Sequence, residues 1–156
     1  MKIDKALEEE IQAIGDDHIM TSYDTPLRKD AFDLSDDEKI ASIKKDVANI
    51  METLGLDLSD DSLRGTPRRV AKMYVKELFY GLNPVNKPKI STFENKYGYK
   101  KMLIEQNIMI DSSCEHHFLP IVGQAHIGYF PAEKVIGLSK INRLVDYYAH
   151  RPQVHK

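Results

Sequence analysis

A chain of 156 residues, 42% of them hydrophobic, can bury one sizeable core and fits a single domain with or without an arm. Its single cysteine rules out an internal disulfide framework, no run nears the roughly 20 apolar residues of a membrane helix, and the N-terminus MKIDKALEEE is too acidic for a secretory signal. The net charge of −2 hides an asymmetry, since residues 1–38 hold 12 acids and 4 bases while residues 39–156 hold 12 acids and 18 bases. Either the arm is solvated and the rest is ordinary surface, or the globular part receives an anion. The basic excess is modest and not interleaved with aromatics, which argues against nucleic acid. A cytoplasmic protein with no membrane partner is the expectation.

Residues 1–34 read as an acidic mobile arm with a helical stretch near 3–14. A helical segment follows over 35–85. Ser35 with Glu38 three residues later forms a capping box, the apolar residues Ile40, Ile43, Val47, Ile50, Met51 and Leu54 recur at helical spacing, and Gly55 suits a left-handed stop. A second helix is expected in GTPRRVAKMYVKELFYG, with Thr66 as its cap, Pro67 at its first position and Gly81 closing it. Asn83, Pro84 and Pro88 make a turn-rich connection. The period then changes: Met102, Ile104, Ile108 and Ile110 alternate around an interruption at Gln106, which reads as a strand. A second strand is expected over 121–130, a turn at Pro131 and Ala132 leading into 135–138, and a third helix in SKINRLVDYYAHRP with Ile141, Leu144, Val145 and Tyr148 on one face and Pro152 stopping it. Helices, then strands, then a helix make an α+β domain with an antiparallel sheet and helices packed on one face.

The stretch SSCEHHFLP sets Cys114 and His117 three residues apart, so a thiolate and an imidazole could reach one metal from a single turn. Catalytic zinc takes three such ligands and keeps a position open. A cysteine nucleophile paired with His116 or His117, or a buried thiol beside exposed histidines, fits the same spacing. The third helix adds a separate signal. Ser139 can cap it, yet Lys140 and Arg143 occupy the first turn, where the helix dipole disfavours cations. A phosphate docked there would collect backbone N–H groups, a hydroxyl and two cations; the alternative is two side chains reaching into water. The metal-like and anion-like clusters are expected to share one pocket.

DSLRGTPRRVAKMYVKELFYGL, SSCEHHFLP and GLSKINRLVDYYAHRPQV occur in the order and at the separations of GTP cyclohydrolase I, which the chain resembles from Ser35 to Val154. The resemblance implies a tunnelling fold over 86–156 that assembles through its sheet edges into pentamers, two of which stack as a homo-oligomeric decamer with active sites between subunits. It implies GTP as substrate, converted with water to 7,8-dihydroneopterin triphosphate and formate in folate or pterin biosynthesis. By resemblance Cys114 and His117 are two of three ligands to Zn2+, which activates a water for attack on C8 of the purine. His116 is then the catalytic acid/base, and Ser139, Lys140, Arg143 and, from another subunit, Arg69 form the triphosphate cradle. The family's glutamine and glutamate that read the guanine edge stand where this chain has His155 and Lys156. Its third zinc ligand, a second catalytic histidine and another triphosphate arginine lie further on, so the resemblance implies a chain shortened after Val154, with exposed sheet faces and edges. Two other expectations stand beside it: a non-catalytic homologue that binds nucleotide or joins full-length subunits, and a related enzyme acting on another pterin or purine.

Overall fold

A computed structural model of the chain describes residues 25–153. The expected helix near 3–14, most of the acidic arm, and Val154, His155 and Lys156 lie outside the described residues. Helix α1 spans Asp36–Thr53 and carries the expected capping box: the Ser35 N–H donates to the Glu38 carboxylate at 2.8 Å, and the Ser35 hydroxyl accepts from the Glu38 N–H at 3.3 Å. It ends where Gly55 turns left-handed at φ 82°. Met51 is buried, whereas Ile50 and Leu54 on the same apolar stripe stay exposed.

Helix α2, Thr66–Met73, starts one residue earlier than a Thr66 cap would place it: Gly65 takes the capping position and Pro67 is buried in the first turn. Thr66 instead accepts from the Arg69 guanidinium at 2.9 Å. Beyond Met73 the winding widens into a π-turn over Tyr74–Leu78, closed by Phe79 N–H to Tyr74 C=O at 3.0 Å. Short 3₁₀ turns follow at Tyr80–Leu82 and Pro84–Asn86. Gly81 is therefore not a left-handed stop. It is buried where a Cβ would lie 2.0 Å from the Tyr147 carbonyl oxygen and 2.7 Å from that of His150, so glycine is needed for close backbone approach.

Strands β1 (Thr92–Glu94) and β4 (Lys134–Ile136) form one antiparallel pair. Between them β2 (Leu103–Cys114) and β3 (Pro120–Tyr129) form a long antiparallel hairpin, in register from Leu103 opposite Tyr129 to Ser113 opposite Pro120. The interruption at Gln106 is a bulge: the register shifts between Glu105 and Ile108, and Asn107 adopts φ 58°, which asparagine tolerates. Ile108 beyond the bulge is buried, whereas Ile104 before it is exposed. β5 (Pro152–Gln153) adds a parallel partner to the end of β2, giving the order β3-β2-β5. The sheet is thus mixed rather than antiparallel throughout, because the chain leaving the last helix runs in the same direction as β2.

That helix, α3 (Leu138–Ala149), has Gly137 at its cap, so Ser139 sits inside the first turn and not at the N-cap. α3 packs on β2 and lies along the hairpin. Near its start the Ile136 N–H donates to the Tyr129 hydroxyl at 3.2 Å, and at its end the Ser112 hydroxyl donates to the Ala149 carbonyl at 2.6 Å. Ile141, Tyr147 and Ala149 are buried, and a trough of about 820 Å³ lined by Ile110, Ile121, Ile127, Ile141, Leu144 and Val145 opens between helix and sheet. Among the described residues no helix is long and apolar enough to cross a membrane.

The C-terminal end of α3 is tied to the 3₁₀ turn. Arg151 Nε donates to the Gly81 carbonyl at 2.8 Å, the Gly81 N–H donates to His150, and the Tyr80 hydroxyl bonds the Asp146 carboxylate. Partial burial and, after it, the Asp146 hydrogen bond raise the Tyr80 pKa above the usual phenol value. Gly81→Ala should cost about 3 kcal/mol or more, since backbone has to move to admit the methyl group; the midpoint of urea unfolding reads this. The unfolded chain releases the Tyr80 proton at a lower pH than the folded one, so this tyrosine's contribution is complete below the unfolded pKa and fades as pH climbs through the folded value. The wild-type advantage over Tyr80→Phe should therefore shrink on going from neutral to strongly alkaline buffer, read as the difference in unfolding free energy.

Candidate active site

The Cys114 turn grows from the end of β2. Cys114 N–H donates to the Leu119 carbonyl at 2.8 Å and Phe118 N–H returns to the Cys114 carbonyl at 2.9 Å, so residues 114–119 close on themselves before β3 begins. Within this turn Phe118 holds φ 56°. β5 grips the same place from the other side: Glu115 N–H donates to the Gln153 carbonyl at 2.9 Å, and Cys114 stands opposite Gln153 in the parallel ladder.

Cys114 is half-buried, and its Sγ lies 3.7 Å from His116 Nδ1, within reach of a weak sulfur hydrogen bond. His116 and His117 are exposed, with ring centroids 6.3 Å apart and planes crossed at 65°. The imidazole in contact with the thiol is therefore that of His116, while His117 stands beside it on the same turn. A thiolate and imidazoles match zinc's preference for sulfur and nitrogen donors. Among the described residues no group of three or more His, Cys, Asp or Glu side chains is gathered to hold a metal ion. The donor chemistry fits zinc, and the described residues present part of a donor set.

The anion-like residues sit elsewhere. Ser139 and Arg143 are exposed and Lys140 is half-buried, all in the first half of α3, whose opening turn holds no acidic residue. With the helix starting at Leu138, Lys140 lies in the opening turn and Arg143 in the next one, beyond the first turn in which the sequence pattern placed it. The Ser112 bond to Ala149, however, places the Cys114 turn beside the C-terminal end of α3. From Ser139 to Ala149 the helix runs about 15 Å at 1.5 Å per residue. Within one chain the thiol–imidazole turn and the cationic turn are thus at opposite ends of α3. Arg69 is exposed and its guanidinium is engaged inside its own loop, by Thr66 and by the Ser62 carbonyl at 3.3 Å.

Three contributors to this geometry carried no legible signal. Ser112 lies beyond the alternating pattern that ends at Ile110, yet it ties β2 to α3. Gln153 acts through its backbone, which no side-chain pattern reports. Phe118 stands within the SSCEHHFLP motif as a residue type that announces no left-handed backbone, which is visible only in three dimensions.

Comparison with known proteins agrees with the motifs. The chain is 59% identical over 149 residues to the GTP cyclohydrolase 1 of Flavobacterium johnsoniae, covering 96% of this chain and 67% of that protein. It is 44% identical over 151 residues to the GTP cyclohydrolase 1 of Yersinia enterocolitica, covering 97% and 68%. It is 50% identical over 133 residues to that of Aeromonas hydrophila, covering 85% and 60%. The chain thus spans between 60% and 68% of the length of these curated relatives. Residues 43–156 match the family model of GTP cyclohydrolase I, and with its α+β architecture and the turn bearing Cys114, His116 and His117, the chain belongs to the GTP cyclohydrolase I family.

Proposed function

We propose that this protein hydrolyses GTP to 7,8-dihydroneopterin triphosphate and formate, in the cytoplasm and as a homo-oligomer. The observation that carries the reading is the closed turn 114–119, which presents one thiol and two imidazoles together in a chain of this family. Cys114 and His117 would hold zinc, joined by a donor from outside the described residues. Bound there, zinc would act as a Lewis acid that activates water toward C8 of the purine. His116, exposed beside the thiol, takes up and returns protons during ring opening and formate release, as an imidazole can near neutral pH.

Ser139, Lys140 and Arg143 receive the triphosphate, with Arg69 from a further copy. Because the cationic turn and the Cys114 turn stand about 15 Å apart along α3, we assign the cradle to a neighbouring subunit. The family decamer of two pentamers is the assembly that this reading adopts. The guanine-reading contacts would come from beyond Gln153.

With GTP and zinc supplied, His116→Ala should lower kcat by about 10²- to 10⁴-fold. Lys140→Ala should act mainly on KM, raising it about tenfold, as the loss of a charge-assisted hydrogen bond does. Both are followed by formate release. Co-assembling the two variants should restore measurable turnover, because a mixed interface then contains one intact thiol–imidazole turn and one intact cradle; absence of recovery in verified mixed oligomers would refute the division between subunits. A second reading, a homologue that binds the nucleotide without turning it over, rests on Ser139, Lys140 and Arg143 near the start of α3, whose first turn holds no acid. GTP affinity unchanged by a zinc chelator, with no formate released, would establish that reading instead.

A further inference from the structure

Phe118 and Asn107 are the two non-glycine residues with positive φ among the described residues. Asparagine visits this region readily, and a bulky aromatic residue does not. Phe118 follows His117 directly and lies inside the loop closed by the Cys114 N–H to Leu119 carbonyl bond, so a change of its φ to an ordinary negative value would break that bond unless the backbone of His116 and His117 moved to keep it. Its side chain is about half exposed, at 49%, so burial alone does not fix it.

What meets the ring is specific. Phe118 lies edge-to-face on Phe79, centroids 5.2 Å apart at 61°, and on Tyr74, 6.4 Å apart at 65°. Tyr74 and Phe79 are themselves stacked at 5.7 Å. Residues five apart on an α-helix point about 140° away from each other, at 3.6 residues per turn. The π-turn changes this: the Phe79 N–H to Tyr74 carbonyl bond spans five residues and brings the two rings side by side. The widened turn thus builds an aromatic seat, and the residue seated in it is the one that ends the histidine turn. Single π-turns inside helices recur at functional sites.

We propose that Phe118 is a positioning residue: its ring, seated on Tyr74 and Phe79, holds the left-handed backbone that sets His116 and His117 beside Cys114. The proposal deepens the reading of this turn as the reactive centre and rests on it for its functional consequence. The geometry itself can be tested without turnover, since Cys114 is the chain's single cysteine.

The test compares wild type, Phe118→Leu, Phe79→Leu and Phe118→Tyr. Alkylation of Cys114 by iodoacetamide and modification of His116 and His117 by diethyl pyrocarbonate are followed by mass spectrometry at one pH, alongside thermal midpoints and GTP turnover. Phe118→Leu and Phe79→Leu should each change the modification rates about threefold or more, because thiol and imidazole reactivity follow local environment. Phe118→Tyr, which keeps the ring, should return them to wild-type values. Unchanged rates in both leucine variants, with lowered thermal midpoints, would show that the ring contact stabilises the fold and positions nothing. Should Phe118→Leu fail to fold, Phe79→Leu decides, because it leaves the turn's own sequence intact. Absence of GTP turnover in wild type would remove the catalytic reading, and the modification rates would still decide the positioning.

Discussion

The clamp on the end of β2 is the constraint on which the candidate site depends. Ser113 is paired with Pro120 on one side and Pro152 on the other, and Ser113 is almost wholly buried. Ser112 reaches across to the end of α3 and just past it, donating to the Ala149 carbonyl at 2.6 Å and to the Arg151 carbonyl at 3.3 Å. A strand end held by two ladders and a helix cannot fray as sheet edges do. Cys114 and the Glu115 N–H are the last groups inside the clamp, and His116 and His117 are the first residues outside it. The chemistry is thus placed at the boundary between a fixed backbone and an exposed turn, where side chains can meet a ligand while their Cα positions stay put.

The same clamp fixes the direction of α3. Because the helix is fastened near its start at Tyr129 and at its end to Ser112, it lies along the hairpin and carries the cationic turn to the far end from the thiol. On the proposed reading, a monomer built this way would offer half a site at each end. Copies arranged so that the far end of one meets the near end of the next would bring the halves together, and every interface would then be equivalent, which is the head-to-tail logic of ring assemblies. The apolar trough between α3 and the sheet, together with exposed Leu119, Val122 and Phe130 along the hairpin, leaves surface that a folded assembly has reason to cover.

Much of the helical half was legible in the sequence, because its signals are local. The Ser35–Glu38 box and Gly55 act through atoms a few residues apart, so the order of residue types is enough to locate them. The alternating stretches of β2 and β3 were legible for the same reason, though not the reach of β2 beyond Ile110 to Cys114; the break at Gln106 marked an irregularity, whose nature as a bulge at Asn107 depends on the partner strand. What stayed hidden was set by distant groups. Gly81 looked like a helix stop and is instead a contact with the backbone of Tyr147 and His150. Tyr147, the most buried of the described tyrosines, lies off the stripe of Ile141, Leu144, Val145 and Tyr148 because it faces the 3₁₀ turn rather than the sheet. At the site, the residue types Cys114, His116 and His117 could be read from the motif. The separation of that turn from Ser139, Lys140 and Arg143 could not, since it follows from how α3 packs.

Phe118 shows how the helical segment and the site become one object. A left-handed backbone costs a residue with a Cβ about 1–2 kcal/mol. Each aromatic edge contact returns about 0.5–1.5 kcal/mol beyond area burial, and the hydrogen bond from the Cys114 N–H to the Leu119 carbonyl, which spans Phe118, contributes about 1 kcal/mol. Two ring contacts and one hydrogen bond therefore offset the cost with a small surplus. Glycine would remove the strain but also the ring, leaving the turn free to choose among backbone states. With phenylalanine, the strained conformation is favourable only while Tyr74 and Phe79 are present in the geometry that the π-turn gives them. The turn bearing Cys114, His116 and His117 is consequently conditional on the docking of the helical segment. Loosening the segment around α2 would then be felt at the thiol and imidazoles even though Tyr74 and Phe79 carry no reacting group themselves.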